Sequence, residues 1–168
     1  MAEHKVPPGP LSLLGLSVIA VTVAVDQASK ALAESSLPIG ERIDVLPILA
    51  FYRVHNPGIA FSFLSGFGGL GLILLPLAIT AVVLGLWLRS TEGGSPVTVS
   101  FALIIGGAIG NLIDRFRYGH VIDFLLLHLG DWTLFVFNLA DAALTFGPLI
   151  LVVAFLWPPR GTDHHAAR

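Results

Sequence analysis

The sequence contains no cysteine and little charge, with charged residues making up only 12% of the chain. The absence of cysteine excludes disulfides, thiolate nucleophiles and cysteine-ligated metal sites. A soluble domain carries roughly 25% charged residues, whereas 55% of these 168 residues are hydrophobic, so the composition predicts a membrane protein. The formal net charge of -2 and the lack of a basic stripe argue against nucleic acid as a partner.

Several catalytic and binding motifs are also missing from the sequence. There is no glycine loop for phosphates or dinucleotides, and there is no G-x-S-x-G nucleophile elbow. The internal histidines, His55, His120 and His128, lack the spacing of metal ligands. We therefore predict neither a metal nor another cofactor.

Long apolar runs predict a mainly α membrane protein with four transmembrane helices, forming a single domain over residues 1–168. Each run approaches the roughly 20 residues that cross a bilayer as a helix. The predicted spans cover about residues 11–32, 67–88, 97–116 and 137–157. In the third span, Gly106 and Gly110 have the G-x-x-x-G spacing that lets a neighbouring helix approach closely.

The first apolar run has an alternative interpretation as a cleaved signal peptide. Ala31-Leu32-Ala33 has the small-residue pattern of a cleavage site, and cleavage there would leave a mature chain beginning at Glu34. Asp26 and Lys30 argue against cleavage, because the region before such a site is usually uncharged. We therefore expect the first run to be a retained span.

Two connections between the spans predict a small extracytoplasmic β-hairpin and sheet region. In the first connection, residues 49–55 and 59–64 flank Asn56-Pro57-Gly58, a strong turn signal, and predict a hairpin at the membrane interface. In the second connection, residues 120–128 and 132–137 predict two strands around Leu129-Gly130-Asp131.

Polar residues gather at helix ends on one side of the predicted bundle. With four spans, the ends of the first and third and the start of the fourth share a side with both strand-containing connections. These helix ends carry Asp26, Lys30, Asn111, Asp114, Arg115, Asn138 and Asp141. Within each helix the spacing is i,i+3 or i,i+4, which places the polar side chains on one face. We predict a site at one membrane surface, although the positive charges are too evenly divided to say which surface that is.

Asp123 and Asp141 lie among apolar residues with no cation nearby in the sequence. A carboxylate in such surroundings is costly unless it is paired, protonated or functional. If the fold brings the two together, both cannot easily ionise. One could then activate water while the other, protonated, hydrogen-bonds a substrate carbonyl. The structural alternative, equally supported by these residues alone, is that Asp123 caps a turn and Asp141 accepts backbone hydrogen bonds at a helix start.

Asp26 and Asp114 each have a cation close by in the sequence, Lys30 one turn away and Arg115 next to Asp114. Structural pairing is therefore the favoured interpretation of these two carboxylates, although adjacent residues on a helix point apart.

Five segments of the chain together resemble the lipoprotein signal peptidases, which are the type II signal peptidases of bacteria. In order they are DQASK (26–30), NPGIAFS (56–62), GGAIGNLIDR (106–115), VIDF (121–124) and FNLAD (137–141). The resemblance extends from the first span to the fourth. Ile59 stands where alanine is common in the family, and Ala142 where serine is frequent, but neither difference removes a chemical group.

The resemblance implies a multi-pass aspartyl peptidase of the bacterial inner membrane with its site at the periplasmic or outer face. It implies removal of the signal peptide from diacylglyceryl-modified prolipoproteins, on the N-terminal side of the lipidated cysteine. The catalytic aspartates would be Asp123 and Asp141. The residues that would line the site and hold substrate, or the inhibitor globomycin, are Asp26, Lys30, Asn56, Gly58, Asn111, Asp114, Arg115 and Asn138. Prolipoprotein substrates and membrane lipid are the expected partners of a monomeric enzyme.

Other functions are also compatible with carboxylates in a membrane protein. A proton or solute pathway predicts carboxylates in the middle of a span, whereas here they cluster at helix ends and the second span has none. An intramembrane aspartyl protease of the presenilin kind would contain a G-x-G-D element, which is missing. A structural scaffold would not need so many polar groups at one depth.

Overall fold

The computed structural model describes residues 6–58 and 71–156. Within these ranges, four helices are long and apolar enough to span a membrane: α1 (Leu13–Ser36), α2 (Gly71–Arg89), α3 (Gly94–Tyr118) and α4 (Leu139–Leu156). The described strands are β1 (Arg42–Leu46), β2 (Leu49–Asn56), β3 (Val121–Leu129) and β4 (Trp132–Phe137), which form one antiparallel sheet in the order β1-β2-β3-β4. The predicted mainly helical membrane fold with a small sheet is confirmed.

The predicted spans differ from the observed helices only at their ends. α1 continues to Ser36 rather than ending near 32, and α3 begins at Gly94 rather than 97. Residues 67–70 and 157, which complete the predicted second and fourth spans, lie outside the described residues. The polar residues Glu34 and Ser36 suggest a loop in the sequence. In the structure they belong to α1, because a helix can continue with polar residues once it leaves the lipid.

Local signals explain where two of the helices begin and end. The hydroxyl oxygen of Ser12 accepts a hydrogen bond from the N–H of Gly15 at 3.1 Å, which caps the start of α1. α3 ends at Gly119, whose φ of 76° is left-handed and whose N–H donates to the carbonyl oxygen of Arg115. Glycine adopts this conformation without steric cost and is common at helix ends.

α3 is the central helix of the bundle. In an 18-residue apolar stretch of α3, 61% of the residues are buried, against 17%, 11% and 22% in the matching stretches of α1, α2 and α4. Its glycines allow close contact, because a Cβ atom on Gly106 would lie 2.8 Å from Thr22 of α1, and one on Gly110 would lie 2.5 Å from Asp26 of α1. The predicted close helix approach at the G-x-x-x-G spacing is therefore confirmed.

The first predicted hairpin is wrong in its pairing. Residues 49–55 do lie in a strand, but β2 pairs with β1 on one side and β3 on the other. The turn that connects β1 and β2 is at Pro47, whose fixed φ suits a turn position. Asn56, the first residue of the predicted turn, is instead the last residue of β2. The predicted second arm, residues 59–64, lies outside the described residues. In the sequence β1 resembles part of a polar connection, because charged residues interrupt its short apolar pattern.

The second predicted hairpin is confirmed as β3 and β4, which pair antiparallel around Gly130 and Asp131. β3 connects the sheet to the helices, because it follows α3 directly in the chain. It is also largely buried. It therefore carries Asp123 from the sheet to the end of the helical bundle.

α1 is an integral part of the bundle, which favours a retained span over a cleaved signal peptide. The carboxylate of Asp26 accepts a hydrogen bond from the N–H of Ala140 in α4 at 2.9 Å. The ammonium of Lys30 lies 2.8 Å from the carboxylate of Asp114 in α3. Cleavage before Glu34 would remove both side chains. That residues 1–168 form a single domain stays a prediction.

We expect Gly107→Ala to lower the thermal stability of the detergent-solubilised protein, because the new methyl group would press on Ala140 and separate α4 from α3. Overpacking of this kind costs about 1–3 kcal/mol. Gly85→Ala in α2 is the matched control, because the space around Gly85 is open. The close α3–α4 contact would be contradicted by equal melting temperatures of the two variants.

Candidate active site

A polar cluster lies where the ends of α1 and α3 and the start of α4 meet strands β2 and β3. It contains Asp26, Gln27, Lys30, Asn56, Asn111, Asp114, Asp123, Asn138 and Asp141. All of these except Gln27 are residues that the sequence predicts for the site. The structure therefore brings together side chains from both halves of the chain at one end of the bundle.

Lys30 is the buried cation of this cluster. Its Nζ atom lies 2.9 Å from Asp26 Oδ2 and 2.8 Å from Asp114 Oδ2, and it donates to Asn111 Oδ1 at 2.9 Å. The exposed fractions of Lys30, Asp26 and Asp114 are 2%, 0% and 1%. An ammonium group has three N–H donors, so all of them are used inside the protein.

The predicted structural pairing of Asp26 with Lys30 is confirmed, whereas the cation that Asp114 contacts is Lys30 rather than its neighbour Arg115. The guanidinium of Arg115 is half-buried and donates from Nη1 to the carbonyl oxygen of Asn111 at 3.2 Å. Arg115 follows Asp114 in the same helix, and consecutive helical side chains point in different directions. Lys30 reaches Asp114 because α1 packs against α3.

The two carboxylates paired with Lys30 also join separate elements of the fold. Asp26 Oδ1 accepts the N–H of Ala140, near the start of α4, at 2.9 Å. Asp114 Oδ2 accepts the N–H of Ile122, in β3, at 3.2 Å. The same ion pairs that satisfy the buried charges therefore hold α4 and β3 in place against α1 and α3.

Gln27 is a member of the cluster that sequence reasoning did not single out. Its side-chain nitrogen donates to Asp114 Oδ1 at 2.8 Å, and it lies 3.2 Å from both Asp26 Oδ2 and the carbonyl oxygen of Gly110. The available signal was its position between two charged site residues in the DQASK segment. Gln27 gives the Asp26 and Asp114 carboxylates a neutral donor in addition to the ammonium.

Lys30 fixes the orientation of the Asn111 amide, and Asn111 in turn contacts Asp141. Because an ammonium can only donate, the amide oxygen of Asn111 must face Lys30 and its NH₂ group must face away. That NH₂ group donates to Asp141 Oδ1 at 2.7 Å. The buried cation therefore sets which end of the Asn111 amide meets the Asp141 carboxylate.

Asn138 and Asp141 form a reciprocal cap at the start of α4. The N–H of Asp141 donates to Asn138 Oδ1 at 2.9 Å, and the N–H of Asn138 donates to Asp141 Oδ2 at 3.3 Å. This is the hydrogen-bond pattern of a capping box, with Asn and Asp as the two side chains. The predicted structural role of Asp141, accepting a backbone hydrogen bond at a helix start, is confirmed.

Asp123 accepts hydrogen bonds from two asparagine side chains. Asn138 Nδ2 donates to Asp123 Oδ1 at 2.7 Å, and Asn56 Nδ2 donates to Asp123 Oδ2 at 2.9 Å. Asn56 is itself oriented by the N–H of Gly58, which donates to its amide oxygen at 2.9 Å and has a left-handed φ of 85°. The predicted turn-capping role of Asp123 is wrong, because its partners are side chains from β2 and the start of α4.

Asn138 connects the two aspartates directly. Its amide NH₂ group contacts Asp123, while its amide oxygen and backbone N–H contact Asp141. The charge of Asp141 also opposes the ionisation of Asp123. Both aspartates therefore contact one asparagine, and a separation of a few ångströms between the two carboxylates stays a prediction.

Burial raises the pKa of Asp123 from 3.8 to about 6, and the charge of Asp141 adds to the rise. Hydrogen bonds from Asn56 and Asn138 and the charge of Lys30 act in the opposite direction. Asp123 lies in β3, outside the membrane-spanning helices. A carboxyl group in this state can hold a proton close to neutral pH, which a general acid requires.

Among residues 6–58 and 71–156, no group of three or more histidine, aspartate and glutamate side chains is arranged to hold a metal ion. The positive charge inside the polar cluster is supplied by Lys30, which already occupies one oxygen of Asp26 and one of Asp114.

Comparison with known sequences gives a consistent result. The family described as Signal peptidase (SPase) II matches residues 18–157. The lipoprotein signal peptidase of Brucella ovis is 49% identical over 151 residues, which cover 89% of this chain and 94% of that protein. The lipoprotein signal peptidase of Mesorhizobium japonicum is 46% identical over 135 residues, which cover 80% of each chain.

Solved structures of bacterial membrane enzymes share the fold. One superimposes with a TM-score of 0.78 at 25% identity, covering 93% of this chain and 99% of the other. Another has a TM-score of 0.76 at 24% identity, covering 99% of each chain. The likeness extends across the helices and the sheet, and therefore includes the elements that build the polar cluster.

We expect Lys30→Met to destabilise the protein by about 3–5 kcal/mol, because it leaves the buried carboxylates of Asp26 and Asp114 without their cation. Thermal unfolding in detergent measures the loss. Asp44→Asn is the control, because Asp44 is 62% exposed and a surface pair of this kind contributes no more than about 1 kcal/mol. A Lys30→Met variant as stable as Asp44→Asn would contradict the role of the buried cation.

The raised pKa of Asp123 predicts a pH-dependent stability. The folded state binds this proton more tightly than the unfolded state, so the free energy of unfolding decreases as pH rises from about 4 to above 6. The contribution is about 3 kcal/mol, at 1.36 kcal/mol for each pKa unit. We expect Asp123→Asn to flatten this part of the stability profile, measured by thermal unfolding at pH 4.5 and pH 7.5. Parallel profiles for Asp123→Asn and the wild type would contradict the raised pKa.

Proposed function

The chain belongs to the signal peptidase II family of membrane aspartic peptidases, which remove signal peptides from prolipoproteins, and we propose that Asp123 and Asp141 are its catalytic dyad. The observation that carries this assignment is the shared contact with Asn138, which holds both carboxylates at the start of α4. Two further buried carboxylates, those of Asp26 and Asp114, are already paired with Lys30.

The different surroundings of the two aspartates support different roles in peptide hydrolysis. Asp141 accepts hydrogen bonds from Asn111 and from the backbone N–H of Asn138, and such bonds favour a charged carboxylate. Asp123 has a raised pKa, and we assign the proton of the pair to it. Two neighbouring carboxyl groups in different surroundings are suited to acid and base roles.

In the proposed reaction, the Asp141 carboxylate takes a proton from a water molecule as the water oxygen attacks the carbonyl carbon of the scissile peptide bond. Protonated Asp123 donates a hydrogen bond to the carbonyl oxygen and stabilises the charge that develops there. Collapse of the tetrahedral intermediate breaks the C–N bond, and a proton passes to the leaving amine. The products are the free signal peptide and a lipoprotein with a new N-terminus.

The remaining site residues divide into two groups by their exposure. Asp26, Lys30, Asn111, Asp114 and Asn138 are buried and hydrogen-bonded within the protein. We assign them to positioning the dyad rather than to direct contact with substrate.

Asn56 and Arg115 are only half-buried and lie at the rim of the polar cluster. They are therefore the side chains we assign to direct contact with the substrate backbone. Gly58 supports this rim, because its N–H holds the amide of Asn56 in orientation. A Cβ atom on Gly58 would lie 2.7 Å from Leu72 of α2, so glycine is also required for packing.

The proposed substrate is a prolipoprotein whose cysteine carries diacylglycerol, cleaved on the N-terminal side of that cysteine. A lipid-modified residue is held at the membrane surface by its acyl chains, and the dyad lies at the ends of the spanning helices, where such a residue would be presented. Globomycin is the proposed inhibitor, because it would occupy the same rim beside the dyad. The enzyme acts as a monomer in the bacterial inner membrane, with the dyad at the outer face.

A proton or solute pathway is less well supported by the same geometry. α2 contains no acidic residue, and the carboxylates of α1, α3 and α4 lie at one end of the bundle. A pathway across the membrane would need polar groups along its length.

We expect Asp123→Asn and Asp141→Asn each to reduce cleavage of a diacylated prolipoprotein peptide by about 100- to 10,000-fold, since each removes one partner of acid–base catalysis. Release of the signal peptide, followed by mass spectrometry, measures turnover. Size-exclusion and thermal unfolding in detergent establish that the variants are folded. Asp44→Asn in β1 is the matched control, because Asp44 is exposed and lies outside the polar cluster. Normal turnover by either dyad variant would refute the assignment.

A further inference from the structure

An apolar groove runs along the outside of the bundle between α1 and α4 and encloses about 340 Å³. Its α1 wall is formed by Val21, Thr22 and Val25, and Leu103 lines it from α3. α1 and α4 both pack on α3, so the groove opens toward the surrounding lipid. Within the described part of the chain, no charged side chain lines it.

The groove begins beside the catalytic dyad. On the α4 wall, Ala142 lines the groove and directly follows Asp141. Successive helical residues point in directions about 100° apart, so one residue faces the polar cluster while the next faces the groove. Leu139 lines the groove at the first turn of α4, and Phe146 lines it deeper in the span. The distance along the helix between these two residues is about 10 Å.

The chemistry of the groove restricts what can occupy it. Its lining is apolar apart from the hydroxyl of Thr22, so a charged headgroup or a polar peptide would lose hydrogen bonds there. A flexible hydrocarbon chain has no hydrogen bonds to lose and meets this restriction.

We propose that this groove holds one acyl chain of the lipid-modified substrate. The inference rests on the proposed function, in which the lipidated residue adjoins the scissile bond. A chain attached next to that bond would enter the groove at the level of Asp141 and descend along α4 to Phe146. The groove would then hold the substrate at one depth and one direction relative to the dyad.

The expected benefit is orientation rather than hydrophobic affinity. An acyl chain that moves from bilayer lipid into an apolar groove gains no hydrophobic free energy, because lipid tails are as apolar as the side chains. Packing against the groove instead limits the positions that the scissile bond can adopt. Ala142 is the residue most suited to control entry, since it is small and lies beside the dyad.

The test compares a dipalmitoyl-glyceryl prolipoprotein peptide with a diacetyl-glyceryl peptide of the same sequence, whose acyl groups are too short to enter the groove. Ala142→Leu fills the groove near its entry. We expect it to lower the ratio of kcat/KM for the dipalmitoyl over the diacetyl peptide by about tenfold, the effect typical of a mismatch of about one methylene in a pocket. Ala81→Leu on the lipid-facing side of α2 is the matched control and leaves the ratio unchanged.

A second variant tests the deep end of the groove. Phe146→Ala removes a ring that is 59% exposed, so it costs little packing, and it lengthens the groove. We expect the preferred acyl length to increase, measured as kcat/KM for a series of peptides with lauroyl to stearoyl chains. An unchanged length preference would count against the acyl assignment.

The outcomes distinguish a failure of the acyl-chain proposal from a failure of the proposed function. If Ala142→Leu slows both peptides equally, the groove holds a bulk lipid or part of the signal peptide, and the acyl assignment is overturned while the dyad stands. Equal kcat/KM of the wild-type enzyme for both peptides would likewise overturn the acyl assignment alone. If Asp123→Asn cleaves both peptides at the wild-type rate, the proposed function itself fails.

Discussion

The rest of the structure depends on the ion pairs that the buried Lys30 ammonium makes with Asp26 and Asp114. Burying a cation is costly, and it is tolerated here because two carboxylates and one amide oxygen occupy all of its N–H donors. Asp26 and Asp114 in turn accept backbone N–H groups from α4 and β3. One buried charge therefore determines how three helices and one strand meet, and a change at this position would affect every element that carries a residue of the proposed dyad.

The same ammonium also orients the proposed dyad through two asparagines. It fixes the Asn111 amide, which presents its NH₂ group to Asp141. Asn138 then contacts both aspartates. Its NH₂ group donates to Asp123 Oδ1, its backbone N–H donates to Asp141 Oδ2, and its amide oxygen accepts the backbone N–H of Asp141. The structural role of Asp141 is consequently compatible with the catalytic role proposed for it, since the capping box that begins α4 also holds its carboxylate in one orientation. Such preorganised groups need no rearrangement as charge develops in the transition state.

The polar cluster lies at one end of the membrane-spanning bundle. Three of the helices are mostly unburied along their apolar stretches and face the lipid, while α3 is enclosed among them and has glycines at its contacts. The buried ion pairs lie at one end of the bundle, where β3 brings Asp123 to the start of α4. The groove between α1 and α4 begins at that same end. A substrate anchored by its lipid would therefore meet the proposed dyad without leaving the membrane surface.

By itself, the sequence determined the four spans, the β3–β4 hairpin and the side of the bundle on which the polar residues lie. These follow from local rules, because a segment in lipid must satisfy its own backbone hydrogen bonds and a helix has a fixed length per residue. Only the tertiary structure decided that Asp114 contacts Lys30 rather than Arg115, that β2 pairs with β1 and β3, and that Asn138 lies between Asp123 and Asp141. Those contacts join residues far apart in the chain, and their choice depends on how the helices pack.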